Sequence, residues 1–169
     1  VLALPVERAG MTVRYRDITV EWLGYATVRI EHGETTIYLD PGRYGVLTGE
    51  WEPDSPAGEN HPPGADIRPQ DGDIVCLTHV HHYDPDGIER VIDDDGTLVA
   101  FEGIDPRAST RDLPRFAELP CDVVEVGMED ERLVGDVPLW TVPAYNEPDG
   151  PHTNGNGQPI HPEGRGCGY

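Results

Sequence analysis

The chain has 169 residues with 32 acidic against 12 basic side chains, a formal net charge of −20, and every basic one is arginine. That balance excludes a nucleic-acid surface, and no run approaches the ~20 consecutive apolar residues of a membrane span. Self-repulsion would strain so acidic a domain in dilute buffer but is screened within about 3 Å at 1 M salt, so the composition reads as adaptation to a salty cytoplasm, an ordinary acidic protein being the alternative.

The first stretch, "VLALPVERAG", is too short and poorly flanked for a signal peptide. Residues 1–11 are therefore expected to be an N-terminal extension and residues 12–169 a single domain, the default at this length. "ITVEWLG" (18–24), "ATVRIE" (26–31) and "TTIYLD" (35–40) alternate apolar and polar residues as half-buried strands do, and predict an antiparallel meander. From 41 to 72, Pro, Gly and Asp break every period, which predicts a long loop, either a lid or a surface insertion.

"DIVCLTH" (73–79) is an apolar run of the kind buried on both sheet faces. Asp84-Pro85 then reads as the N-cap and first position of a helix ending near Asp95-Gly96, and "TLVAFE" (97–102) as the next strand, a unit that implies parallel pairing. A second, Pro-interrupted helix is expected over 109–119. Strands follow at "DVVEV" (122–126), "ERLV" (131–134) and "VPLWTV" (137–142), the last two as a hairpin, and the tail from Asn146 reads as loop. Cys76, Cys121 and Cys167 are odd in number and far apart, which fits no disulfide framework and points to a reducing compartment, the cytoplasm.

The chemistry gathers at "CLTHVHHYDPDGIERV" (76–91). His79 and His81 lie two apart at the carboxyl end of a buried strand, where extended chain sends both side chains to one side and where open α/β sheets bind their ligands. Imidazole is a leading ligand for Zn²⁺ and related metals. Three histidines within four residues favour a metal over solvated loop side chains. Asp84 is explained as an N-cap but is also placed to face an ion, and Asp86 reads as an acid complementing the helix dipole.

"IYLDPG", "DIVCLTHVHHYDPDGI", "TVPAYN" and "HPEGRGCGY" together resemble the metallo-β-lactamase fold, in particular a branch of metal-dependent hydrolases with an Ala-Tyr-Asn motif followed by His-Pro-x-Gly. The resemblance runs from about Ile18 to the end and implies an α/β domain, α+β in some schemes, built as a four-layer αββα sandwich. Its most specific part is Thr78 to Asp84, where the superfamily carries His-x-His-x-Asp-His. His79 and His81 match the first two ligands. Without a gap the next two fall on Tyr83 and Asp84; with two residues deleted after His81, His82 becomes a second-site ligand and Asp84, Pro85 and Ile88 find counterparts. Either register alters the second metal position, so one firmly held ion is expected.

The resemblance also implies a third ligand, a histidine from a later strand end. His161 is the preferred candidate, ahead of Asn146, which holds the place by motif, and His152. It makes Asp40 an orienting group beside the site, and Cys167 the start of a further strand. The family continues beyond "GCGY" with a metal-bridging Asp segment, so the chain is expected to be truncated and the sandwich incomplete at its C-terminus. One or two Zn ions are implied, with Mn or Fe as alternatives.

These features predict a hydrolase that activates water on the ion to cleave an ester, lactone, amide or phosphodiester in a small-molecule substrate. Asp84 would take or hold the water's proton, and Tyr83 would donate to the developing oxyanion. A non-catalytic metal-binding or interaction module with one structural ion is the alternative, and an acidic protein with no metal a third. Neither nucleic acid nor a membrane is an expected partner.

Overall fold

A computed structural model describes residues 11–50, 64–108 and 111–169. Seven strands form one sheet in chain order: β1 (Met11–Tyr15), β2 (Ile18–Gly24), β3 (Thr27–His32), β4 (Thr35–Leu39), β5 (Gly72–Leu77), β6 (Ile92–Phe101) and β7 (Asp122–Val126). The first four pair antiparallel; β4 to β7 pair parallel. This is the expected meander followed by a parallel half. Strand β1 was not expected. All five of its residues are exposed, so it lacks the alternation that marks a half-buried strand, and its pairing with β2 from Met11 to Tyr15 defines it. Met11, expected to close the N-terminal extension, belongs to this strand.

Both faces of the parallel half are covered, which is why β5 and β6 are apolar without interruption. On one face Val75, Leu77, Leu98 and Ala100 pack with Ile88 and Val91 of helix α1 (Pro85–Val91) and with Tyr38. On the other, Ile74, Cys76, Val99 and Val126 pack with Val134 and Leu139 from the hairpin of β8 (Glu131–Val134) and β9 (Val137–Trp140).

Helix α1 starts where expected, with Asp84 at its N-cap and Pro85 in its first turn, but ends at Val91 rather than near Gly96. Three consecutive aspartates favour local bonds over helix: Asp93 Oδ1 accepts from the Asp95 amide at 3.0 Å, and the chain bulges before β6 resumes its register at Thr97. The second expected helix is absent from the described part of 109–119. Pro114 blocks it, and only a 3-10 turn at Phe116–Glu118 forms, with Leu113, Phe116 and Leu119 packed on the core.

The stretch expected as one strand over 137–142 is divided at Thr141, whose hydroxyl donates to Gly127 O at 2.7 Å. Beyond it β10 (Val142–Pro143) pairs with β11 (Cys167–Gly168), so Cys167 does open a strand. The middle of the 41–72 loop, residues 51–63, lies outside the described residues. Its flanks are tied together: Val46 and Leu47 are buried, their carbonyls accept from Ala65 and Ile67, and Arg90 of α1 donates to Leu47 O and Ile67 O.

Candidate metal centre

Beyond β5 the chain stays extended through Thr78 and His79, and His79 bridges to Gly166 just before β11. A Cβ at Gly166 would stand 3.2 Å from His79 Cβ, so this close approach needs glycine. The chain then curls into a 3-10 turn over Val80–His82. The side chains of His79 and His81 therefore converge through a turn, not through strand alternation, which ends at His79. Their ring centroids are 5.1 Å apart.

His161 completes the group. One ligand nitrogen from each of His79, His81 and His161 lies within 4.8 Å of the others. His81 Nδ1 and His161 Nε2 are 3.2 Å apart, close to the roughly 3.4 Å that separates two ligands of a tetrahedral ion bound at about 2.1 Å.

Two relays orient these rings. The Asp40 carboxylate accepts from the Thr78 amide at 2.9 Å and from its hydroxyl at 2.7 Å. With its one proton given to Asp40, Thr78 Oγ1 accepts from His79 Nδ1 at 2.8 Å, which leaves the His79 Nε2 lone pair free. That Nε2 is buried and has no hydrogen-bond partner among the described residues, an arrangement costly for a neutral imidazole unless an ion takes the lone pair. Similarly, Asn146 Oδ1 accepts from the His161 amide at 3.1 Å and lies 3.2 Å from its Nδ1, leaving Nε2 to face His81. Asn146 orients the His161 ring.

Burial and neighbouring positive charge hold His79, His81 and His82 neutral. Burial, then the neighbouring histidines and Arg43, hold His79 down to about 3, and burial with Arg43 holds His82 down to about 4. His81 is lowered too, again mainly by burial. Neutral imidazole is the metal-binding form. Asp40 is pushed up to about 6 by burial against its two Thr78 bonds, so it is ionised and accepting at neutral pH.

The remaining expected residues divide. His82 is buried with its ring 4.6 Å from that of His79, yet it falls outside the three-nitrogen group. Asp84 also falls outside it; it is half-buried at the head of α1 with its pKa raised by burial. Tyr83 is not placed as an oxyanion donor. Its ring is fully buried against Phe116 and its hydroxyl donates to Pro114 O at 2.8 Å. Asp86 is spent on Arg90, His152 is exposed, His32 pairs with Asp17, and His61 lies outside the described residues. The sequence reading passed over Thr78 and Arg43; Arg43 donates to the His81 carbonyl.

Beside His79 and His161 opens a cavity of about 610 Å³, lined also by Tyr145, Asn146, Glu147 and Arg165. That is within the ~300–1,000 Å³ typical of small-molecule sites. Lowered pKa values at His79 and His81, an orphaned nitrogen and an adjoining cavity fit a metal ion and a substrate beside it.

The chain belongs to the family described as the beta-lactamase superfamily domain, whose model matches residues 19–158. Its fold is metallo-β-lactamase-like. A solved structure from Parabacteroides distasonis, provisionally assigned as a metal-dependent hydrolase, superposes with a TM-score of 0.57 at 19% identity over 95% of this chain. This chain spans 59% of that structure's length, and at such identity the likeness speaks to the fold. None of the curated proteins compared matches the chain. Among the described residues no helix is long and apolar enough to cross a membrane.

Proposed function

We propose that the chain carries the first-metal site of a hydrolase that uses a Zn-type ion to cleave an ester, lactone, amide or phosphodiester in a small molecule. One observation carries this: the buried, unpartnered Nε2 of His79 within 4.8 Å of ligand nitrogens from His81 and His161. Those three residues would hold the ion; Mn or Fe would suit the same donors less well, since imidazole with an open position favours zinc. The chemistry such an ion supplies is acidity, lowering the pKa of water from about 15.7 toward 7 and polarising the substrate's oxygen.

The chain's own residues do the rest. Asp40 through Thr78, and Asn146 directly, fix the tautomers of two ligands. Asp84, its pKa raised by burial, is the group to take and hold a proton. Were a second ion to bind, His82 and Asp84 would be the residues to hold it, less firmly than the first. The cavity beside His161 receives the substrate. The setting is a reducing, salty cytoplasm, supported by three free cysteines and a charge of −20.

The test is metal content and turnover of protein purified in molar salt. Zinc should co-purify at about one equivalent, His79→Ala and His161→Ala should lose it, and chelation should abolish hydrolysis across an ester, lactone and phosphodiester panel. Wild-type protein that retains no metal sinks the proposal. Metal retained with no chelator-sensitive turnover would favour a module with one structural ion.

A further inference from the structure

Among the described residues, five other than glycine adopt the left-handed backbone region: Arg16, Tyr25, Asp40, Tyr44 and Gln70. That conformation disfavours a residue with a Cβ and is tolerated best by Gly and Asn. Asp40 is explained by its relay to His79. Tyr25 and Tyr44 are not explained by packing, since each residue keeps 47% of its surface in solvent. Yet the two rings meet, with centroids 4.7 Å apart and planes tilted by 59°.

Their position is defined from both sides. Tyr25 stands at the β2–β3 turn, where Trp22 Nε1 donates to its carbonyl at 2.9 Å, and its ring lies 5.9 Å from that of His82. Tyr44 is covered by the Arg43 guanidinium, 4.4 Å from the ring centroid, and the same guanidinium donates to the carbonyl of His81. Two costly backbone conformations thus present a tilted, half-open pair of aromatic rings on the His82 side of the histidine group.

The geometry points to a substrate subsite: we infer that Tyr25 and Tyr44, steadied by Arg43, form a platform that stacks a flat aromatic or heteroaromatic group of the molecule being hydrolysed. The inference rests on the hydrolase proposal and names its substrate class. The Tyr25 ring lies 5.9 Å from that of His82, which stands 4.6 Å from that of His79, so the platform adjoins the histidine group. Offset and edge-to-face contacts with two tyrosines select an aromatic group over an aliphatic one of equal polarity.

Tyr25→Gly and Tyr44→Gly are the variants of choice, because glycine keeps the left-handed backbone and relaxes its strain. Their thermal midpoints should not fall. Binding is read by saturation-transfer NMR with benzamide and acetamide, in zinc-loaded and metal-free protein at matched salt. Benzamide should bind wild type in both states and weaken roughly threefold to tenfold in each variant, with acetamide unaffected. In turnover, KM for phenyl acetate should rise by the same factor with kcat kept, and the constants for methyl acetate should not change.

Benzamide that fails to bind wild type, or binds wild type and both variants alike, overturns the platform. Selective benzamide binding lost in the variants, with neither these esters nor the lactone, amide and phosphodiester substrates cleaved by zinc-loaded protein, supports the platform and overturns the hydrolase reading instead. Tyr25→Asn and Tyr44→Asn, which also accept the left-handed region, carry the same comparison should either glycine variant fold poorly.

Discussion

At the scale of single residues, the site turns on which nitrogen of His79 carries the proton. Asp40 sets this across 38 positions of sequence through Thr78. Asp40→Asn tests it, because asparagine matches the carboxylate in shape and accepts the left-handed backbone that residue 40 adopts. Its amide oxygen would keep the Thr78 amide, so its NH₂ would donate to Thr78 Oγ1. The hydroxyl proton would then turn to His79 Nδ1 and force the ring proton onto Nε2, the nitrogen aimed at the ion. Zinc affinity, measured by chelator competition, should fall about 10- to 100-fold with the fold intact; unchanged affinity would show that the relay does not act. His79 and His81 were legible because histidines are scarce and their spacing is telling. His161 was reached through resemblance alone, since nothing local in "IHPEG" predicts an 80-residue return to His81. Asp40's orienting role was reached through the same resemblance, but its path through Thr78 was not legible, since it depends on a contact across 38 residues, nor was the inward turn of Tyr83, which depends on where a short 3-10 turn points the side chains after it.

At the scale of elements, α1 is aimed by contact between backbones. A Cβ on Gly87 would come within 2.5 Å of Pro41 O and 2.6 Å of Gly42 Cα, so the first turn of the helix lies directly on the chain leaving β4. This contact seats Asp84 beside the residues that follow Asp40. Gly87→Ala should therefore destabilise the domain by about 1–3 kcal/mol despite alanine's better helix propensity, the overpacking term outweighing a gain of about 1 kcal/mol. Chemical denaturation checks this; a variant as stable as wild type or more so would mean that the two segments separate freely. The central strands and the parallel unit were legible because burial on two faces leaves an apolar run with few other readings. Element ends were harder. Asp93 to Asp95 look like a solvated last turn but lie in the bulged start of β6. Leu113, Phe116 and Leu119 have helical spacing, yet Pro114 divides them and each packs separately.

At the scale of the whole molecule, charge outweighs any single contact. The pairs that Arg107 and Arg132 make with aspartates are largely solvent-facing, and such pairs contribute about 0–1 kcal/mol each. Arg29 is different: mostly buried, it reaches Glu31 at 2.7 Å and Asp71 at 2.8 Å, and Asp71 also accepts from the Tyr38 hydroxyl. That network joins β3, β4 and the segment before β5 at short range, where salt screens little. The uncompensated acids repel over longer distances, within the roughly 10 Å reached at 0.1 M salt but beyond the roughly 3 Å reached at 1 M. Raising KCl from about 0.1 to 2 M should therefore remove most of the repulsion while leaving the Arg29 network in place, and the thermal midpoint should climb steadily. Sucrose at matched osmolality separates screening from solute exclusion, because it favours burial without adding ions. Should sucrose raise the midpoint as far as KCl does, or KCl fail to raise it, the charge of −20 would not be what ties this fold to salt.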